Sequence, residues 1–316
     1  MTNFFRTTHL VAAGTCWLAL LAGCSPADDP GTSAADDAAA TAAVAEPDAE
    51  SAASEWVDDG QWAENEAPVR KVPNIPQAAE AYYAPDSYHF IVQTQDDAAQ
   101  RRTDTYGGAL TYIFTDDGEF SRRINDRGQD ACSYFFPDQE RIVWTSTRDN
   151  MDMPLGDWSE DTDYPQGAEL YISDVEGGNI QRLTDNEYYE AEVSVSPDGE
   201  WIVFGRQIDG KMDLWRMRPD GSDEQQITFT DDWQEGAPFY LPDNETILFR
   251  AWQTSVKENL GEGDATPMTV FTIKHDGSEL VQRTFDDEMN WAPYPAPDGR
   301  HYVFVRIVDD NWDVYL

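Results

Sequence analysis

A chain of 316 residues with 61 acidic against 21 basic side chains carries a formal charge of −40. That excess opposes binding to DNA, RNA or anionic lipid surfaces and favours cationic partners, metal ions or a saline medium. The 11 Trp, 14 Tyr and 14 Phe argue against a wholly disordered chain, because they supply ample apolar area for the core of a folded part of about 240 residues.

Residues 1–23 hold one formal charge, Arg6, and an apolar stretch from Leu10 to Leu21. This stretch is too short to span a bilayer and is laid out as an export signal. It ends Leu21-Ala22-Gly23-Cys24, which resembles the lipobox of bacterial lipoproteins. That resemblance implies cleavage before Cys24 and acylation of its thiol and new amino terminus. Ser25, a non-Asp residue, implies the outer membrane on the same grounds. An ordinary secretory signal followed by a chance cysteine is the alternative. Losing the leader with Arg6 takes the charge from −40 to −41. Cys16 goes with the leader and Cys24 to the lipid, so Cys132 has no partner for an internal disulfide. Within ACSYFFPD it is expected to be a buried core thiol.

Residues 24–66 are Ala, Asp, Glu, Ser and Pro with few large apolar side chains. Such a segment buries too little surface to offset its conformational entropy, and it is expected to be a disordered tether with a reach of roughly 35–40 Å. Ala67–Gln77 contains three prolines, which exclude a central strand and permit an edge one.

From there to the end, 67–316, one unit repeats. Pro85, Pro137, Pro197, Pro242 and Pro297 are each followed by Asp. An apolar run follows each: His89–Val92, Ile142–Trp144, Ile202–Phe204, Ile247–Phe249 and Tyr302–Val305. The next runs are Leu110–Phe114, Leu170–Ile172, Leu214–Met217, Thr269–Ile273 and Trp312–Leu316. Reversals at Asp117-Gly118, Gly177-Gly178, Asp220-Gly221 and Asp276-Gly277 lead to short closing runs at Asn125, Thr184, Thr228 and Thr284. Four strands per repeat of about 40–50 residues is the pattern of propeller blades. The middle strands are apolar on both faces, as in sheets sandwiched between sheets. The predicted class is an all-β propeller with five recognisable four-stranded repeats, the last incomplete. Two closures stay open. Either the segment before residue 78 supplies the missing strand of a five-bladed ring, or the chain is a shortened six-bladed propeller.

The Pro-Asp-Gly turn, the apolar third strand, the Asp-Gly-Ser turn and the closing Leu-Thr resemble TolB-type β-propeller repeats. The resemblance covers roughly residues 80–316. The turn glycine is replaced by Ser87, Gln139 and Asn244 in three copies, which predicts a different turn type there.

In a propeller the first strand of each blade lines the central channel, and long loops gather on one rim. Here these are Thr145–Gly167, Ala251–Pro267 and Thr94–Gly108. Seven residues before four of the prolines stand Asp130, Glu190, Glu235 and Asn290, with Trp233 and Trp291 nearby. These six are the predicted ligand contacts, forming an acidic and aromatic funnel for a basic peptide segment or a cation. A solvated acidic rim is the competing reading. Enzyme motifs are missing from the sequence: no G-x-S-x-G, H-E-x-x-H, C-x-x-C or P-loop. His89 and His301 share a repeat position and are expected to be structural. No cofactor is implied; Ca²⁺ in the loop Asp149–Asp163 is a minor option that lacks EF-hand spacing.

The resemblance implies a non-enzymatic, monomeric binding or scaffold propeller, lipid-tethered through Cys24 and facing the periplasm. Its partners would be envelope proteins or peptide segments, not nucleic acid. The alternatives are a propeller-type lyase or peptidase-associated sensor, and a Ca²⁺-dependent glycan binder using Trp158, Trp233 and Trp252.

Overall fold

A computed structural model describes residues 71–94, 109–158, 160–261, 263–308 and 311–316. The chain divides into two units, Met1–Ser51 and Ala52–Leu316, and every described residue belongs to the second. The leader, Cys24, the tether and most of the loop Thr94–Gly108 lie outside the described residues.

Five antiparallel sheets follow one another along the chain. The first contains β1 (Ala78–Tyr83), β2 (His89–Thr94), β3 (Leu110–Thr115) and β4 (Ser121–Arg123). The second contains β5 (Asp130–Phe135), β6 (Arg141–Ser146), β7 (Glu169–Asp174) and β8 (Gln181–Arg182), and the third β9 (Tyr189–Val195), β10 (Ile202–Ile208), β11 (Lys211–Met217) and β12 (Gln225–Gln226). The fourth contains β13 (Trp233–Tyr240), β14 (Thr246–Gln253), β15 (Thr269–Lys274) and β16 (Val281–Gln282). The fifth has three strands, β17 (Met289–Pro295), β18 (Tyr302–Val308) and β19 (Asn311–Tyr315). This is a five-bladed β-propeller with the blade boundaries that the turn prolines predict. One helical turn, α1 (Thr254–Lys257), sits in the loop of the fourth blade.

The turns explain why Pro-Asp recurs. In each, the aspartate oxygen accepts backbone N–H groups just ahead: Asp86 from Tyr88 and His89, Asp138 from Glu140 and Arg141, Asp298 from Arg300 and His301. His89 and His301 also bond the same aspartates through Nδ1, at 2.7 and 2.6 Å, so both histidines are turn structure. Ser87, Gln139 and Asn244 sit at φ 58°, 60° and 62°, beside 75° and 65° for Gly199 and Gly299. The expected change of turn type does not occur. Those three residues take the left-handed conformation because the aspartate bonds and the flanking strands impose it, at a strain that glycine avoids.

Packing shows why the middle strands are apolar throughout. Adjacent residues of one strand feed opposite cores: Ile142 packs between blades one and two, Val143 between two and three. Ile202 and Val203 repeat this between two and three and between three and four. Each buried side chain of this size contributes about 1.5–3 kcal/mol, so the second and third blades each stabilise two neighbours. Residues 71–77 do not join the fifth sheet. Instead Val72 and Ile75 cover Phe90, Val92 and Phe114 on the outer face of the first blade. Among the described residues, no sheet-to-sheet packing of the kind joining blades one to five in sequence links the fifth back to the first.

Candidate functional site

The five inner strands share a register, which sorts their residues into levels by distance from the turn proline. At seven residues before it stand Ala78, Asp130, Glu190, Glu235 and Asn290, facing Thr94, Ser146, Arg206, Ala251 and Arg306. The expected open funnel is not there, because Asp130, Glu190, Glu235 and Asn290 are all buried. Each is engaged with the chain that links two blades. Thr111 N–H and Asn125 Nδ2 donate to Asp130, at 2.8 and 2.6 Å. Asn186 Nδ2 and Arg206 Nε donate to Glu190, at 2.8 and 2.5 Å. Thr230 Oγ1 donates to Glu235 at 2.8 Å, and Asn290 Nδ2 donates to Met268 O and Asp286. The closing threonines complete the device: Thr184, Thr228 and Thr284 accept the N–H of Leu170, Leu214 and Val270 in the third strand. Burial has a measurable consequence, pushing Asp130 up to about 6 and Glu235 up to about 8.

Two residues further along, every inner strand has a β-bulge between the same positions. The bulged residues are Glu80, Cys132, Glu192, Ala237 and Ala292, all at positive φ between 33° and 55°. None is glycine, so each stores backbone strain that the surrounding sheets hold in place. The bulge turns its N–H toward the preceding blade. Cys132 N–H donates to Glu80 Oε2 and Ala237 N–H to Glu192 Oε2, both at 2.7 Å. Arg250 Nη2 pairs with Glu192 Oε1 at 2.5 Å and lies on the Trp252 ring at 4.8 Å. At Gly236 a Cβ would come within 2.0 Å of Glu192 Oε2 and 2.6 Å of Arg250 Nη1, so a larger residue would displace this pair. Cys132 is buried as expected, and burial pushes its thiol well above the usual range, so it is not an activated nucleophile.

Three residues before the proline stand Tyr82, Tyr134, Ser194, Phe239 and Tyr294. The four aromatic rings meet at centroid distances of 5.0 to 6.1 Å, and Tyr134 and Tyr294 join hydroxyls at 3.0 Å. This layer divides the channel. A chamber of about 620 Å³ lies on the side of the turn prolines. A second of about 420 Å³ is bordered by Glu80, Cys132, Glu192, Ala237, Arg250 and Trp291. Phe239 and Tyr294 line both. Ala237 and Ala292 add only small side chains to the wall of the second chamber.

The two longest described loops meet over this site, as their shared rim predicts. From the second blade, Asp161 reaches the third through its carbonyl to Gln207 Nε2 at 2.8 Å. It reaches the fourth through Lys257 Nζ at 2.5 Å and Trp252 Nε1 at 3.3 Å. Tyr164, stacked on Tyr189 at 4.2 Å, comes within electrostatic reach of Glu192 and Arg250. The loop is a strap across one end of the channel. Of its carboxylates, Asp161 is committed to these contacts, Glu160 to Lys257 and Asp149 to Arg127 and Tyr171, and the described residues hold no group of three metal-ligating side chains. Trp252 is buried and Trp158 donates inward to Gln129, so neither offers a sugar-stacking face. Trp233 packs edge-on against Phe271 at 5.4 Å. Of the predicted contacts, only Trp291 borders the chamber, with 39% of its surface exposed.

The carboxylates that border the chamber, Glu80 and Glu192, stand two residues after the predicted acidic level. The available signal was Glu80, Cys132 and Glu192 aligned at one offset, followed by aromatics at the next inward position.

Comparison with known proteins supports the fold. No family model matches the sequence. An uncharacterised protein of Agrobacterium fabrum is 31% identical over 148 residues, 45% of this chain and 48% of that protein, so the chain spans about half the length of the curated relative it matches. Among solved structures, a protein assigned as TolB from Agrobacterium tumefaciens aligns with a TM-score of 0.57 at 20% identity, covering 77% of this chain and 80% of that one. TolB from Acinetobacter baumannii aligns at 0.53 and 18% identity, over 72% of this chain and 49% of that one. The architecture is that of a TolB-like β-propeller.

Proposed function

Starting from a TolB-like β-propeller with a divided channel, we propose that the protein is a non-enzymatic binding module of the bacterial envelope. It takes a segment of a protein partner into the 420 Å³ chamber bordered by Glu80, Glu192 and Trp291. That chamber carries the proposal: a concave, partly aromatic site with a few convergent polar groups, in the size range of about 300–1,000 Å³ common for binding pockets. Strained bulges gathered around it fit a site whose geometry is held for a ligand rather than for the sheets. The envelope assignment comes from the leader and lipobox resemblance and from the TolB-like fold. In this reading Cys24 carries the lipid, residues 24–66 are the leash, and the monomeric propeller faces the periplasm from the outer membrane. Among the described residues, no helix is long and apolar enough to cross a membrane. Against catalysis stand the raised thiol of Cys132 and the commitment of His89 and His301 to turn aspartates.

A photo-crosslinking residue in place of Trp291, compared with one at the exposed Leu280, tests this reading in intact envelopes. Capture of a discrete protein partner at 291 and not at 280 is expected. No capture at 291, with turnover of peptides or oligosaccharides by the purified protein, would overturn it.

A further inference from the structure

We infer that the chamber recognises its partner through a cation, the ammonium or guanidinium of a Lys or Arg side chain, seated between Glu80 and the aromatic wall. The inference rests on the binding reading above and adds what that site selects. The chamber holds two carboxylates and one guanidinium. Arg250 is matched to Glu192, whose other oxygen takes the Ala237 N–H. Glu80 takes the Cys132 N–H and thiol and feels Arg250 only at a distance, and among the described residues no Lys, Arg or His forms an ion pair with it. It is therefore the spare charge of the site. Glu192 nearby is a second negative charge, and Glu80 itself is exposed to an arriving ligand. An arriving cation favours the charged form of this carboxylate.

The remaining walls suit the rest of such a side chain. Tyr82, Tyr83, Phe239, Trp291 and Tyr294 border the space beside Glu80. Aromatic faces attract ammonium and guanidinium groups, and apolar walls accept the methylene stem behind them. Other ligand classes fit less well. A hard metal ion wants six or more oxygen ligands, and this chamber offers one free carboxylate amid aromatic rings. A carboxylate ligand would meet Glu80 and find Arg250 already paired. The strand carrying Glu80 is also reachable: Ala78–Ala81 are exposed, whereas the matching residues Asp130–Ser133 of the second blade are buried.

The test is a ligand-observed NMR titration of the full chain with four capped residues: N-acetyl methylamides of lysine, arginine, norleucine and glutamate. Lysine or arginine should bind about tenfold more tightly than norleucine, with glutamate weakest; a charge-assisted contact and a cation–π contact supply this margin. Glu80→Gln should lower lysine binding about tenfold and leave norleucine unchanged, and Trp291→Ala should lower it about threefold. Glu119→Gln, an exposed turn residue, controls for attraction to the acidic surface and should change nothing. Norleucine binding as tightly as lysine, or lysine binding unmoved by Glu80→Gln, would overturn the inference. The capture experiment at residue 291 is independent of this result, so partner capture without cation preference would sink the cation site and leave the binding module standing.

Discussion

Two rings of the inner strands lie two residues apart and differ in what their acidic groups do. The ring of Asp130, Glu190, Glu235 and Asn290 is buried and bonded to the links between blades. The ring of Glu80, Cys132 and Glu192 sits on strained bulges and borders a chamber. Both are acidic, and composition alone does not separate them. The difference teaches that a carboxylate's partners, more than its position near a channel, decide whether it serves the fold or a ligand.

The sharpest way to break the comparison is to remove a carboxylate from the buried ring. Glu190→Ala leaves the buried Arg206 with Glu224 as its remaining partner, and a loss of about 3 kcal/mol is expected in urea unfolding. A loss under about 0.5 kcal/mol would place Glu190 outside the structural class.

The pH dependence follows with a definite sign. Glu235 and Asp130 have folded values of about 8 and about 6, above the ordinary 4.5 and 3.8. The folded state therefore holds more protons than the unfolded one between the ordinary and raised values. Stability is greatest below the ordinary values and falls as pH rises through the raised ones, by up to about 1.4 kcal/mol per pH unit for each group. Urea midpoints measured from pH 5 to 8 should decline, and Glu235→Gln should flatten the decline above pH 6. A midpoint that rises across this range would contradict the burial of these groups.

Smaller effects sharpen the account of the links. Thr228→Val orphans the Leu214 N–H and should cost about 1–2 kcal/mol by the same unfolding assay. Gln139→Gly relieves a left-handed residue at φ 60° and should raise stability by about 0.5–1 kcal/mol, seen as a higher melting temperature.

Much of this architecture was legible in the sequence because its signals are local. Pro-Asp turns fix where strands reverse, and runs such as Ile202–Phe204 that are apolar on both sides declare a sheet covered on both faces. The site was less legible, for two physical reasons. The bulge inserts a residue into each inner strand, so counting from the prolines by simple alternation misses which level faces the chamber. The engagement of the earlier ring depends on Asn125, Thr184, Thr228 and Thr230, whose role appears only when the closing strand of one blade meets the opening strand of the next. Asp161 is a similar case: nothing in its neighbourhood foretells contacts with Trp252 and Lys257, 91 and 96 residues away.

The account rests on the two rings having separate tasks, and one paired measurement tests that most directly. Glu80→Gln and Glu190→Gln are compared side by side for partner binding and for urea stability. The account predicts that Glu80→Gln lowers binding at unchanged stability, while Glu190→Gln lowers stability and the folded fraction binds normally. The reverse pattern, with binding lost at residue 190 and kept at residue 80, would contradict it.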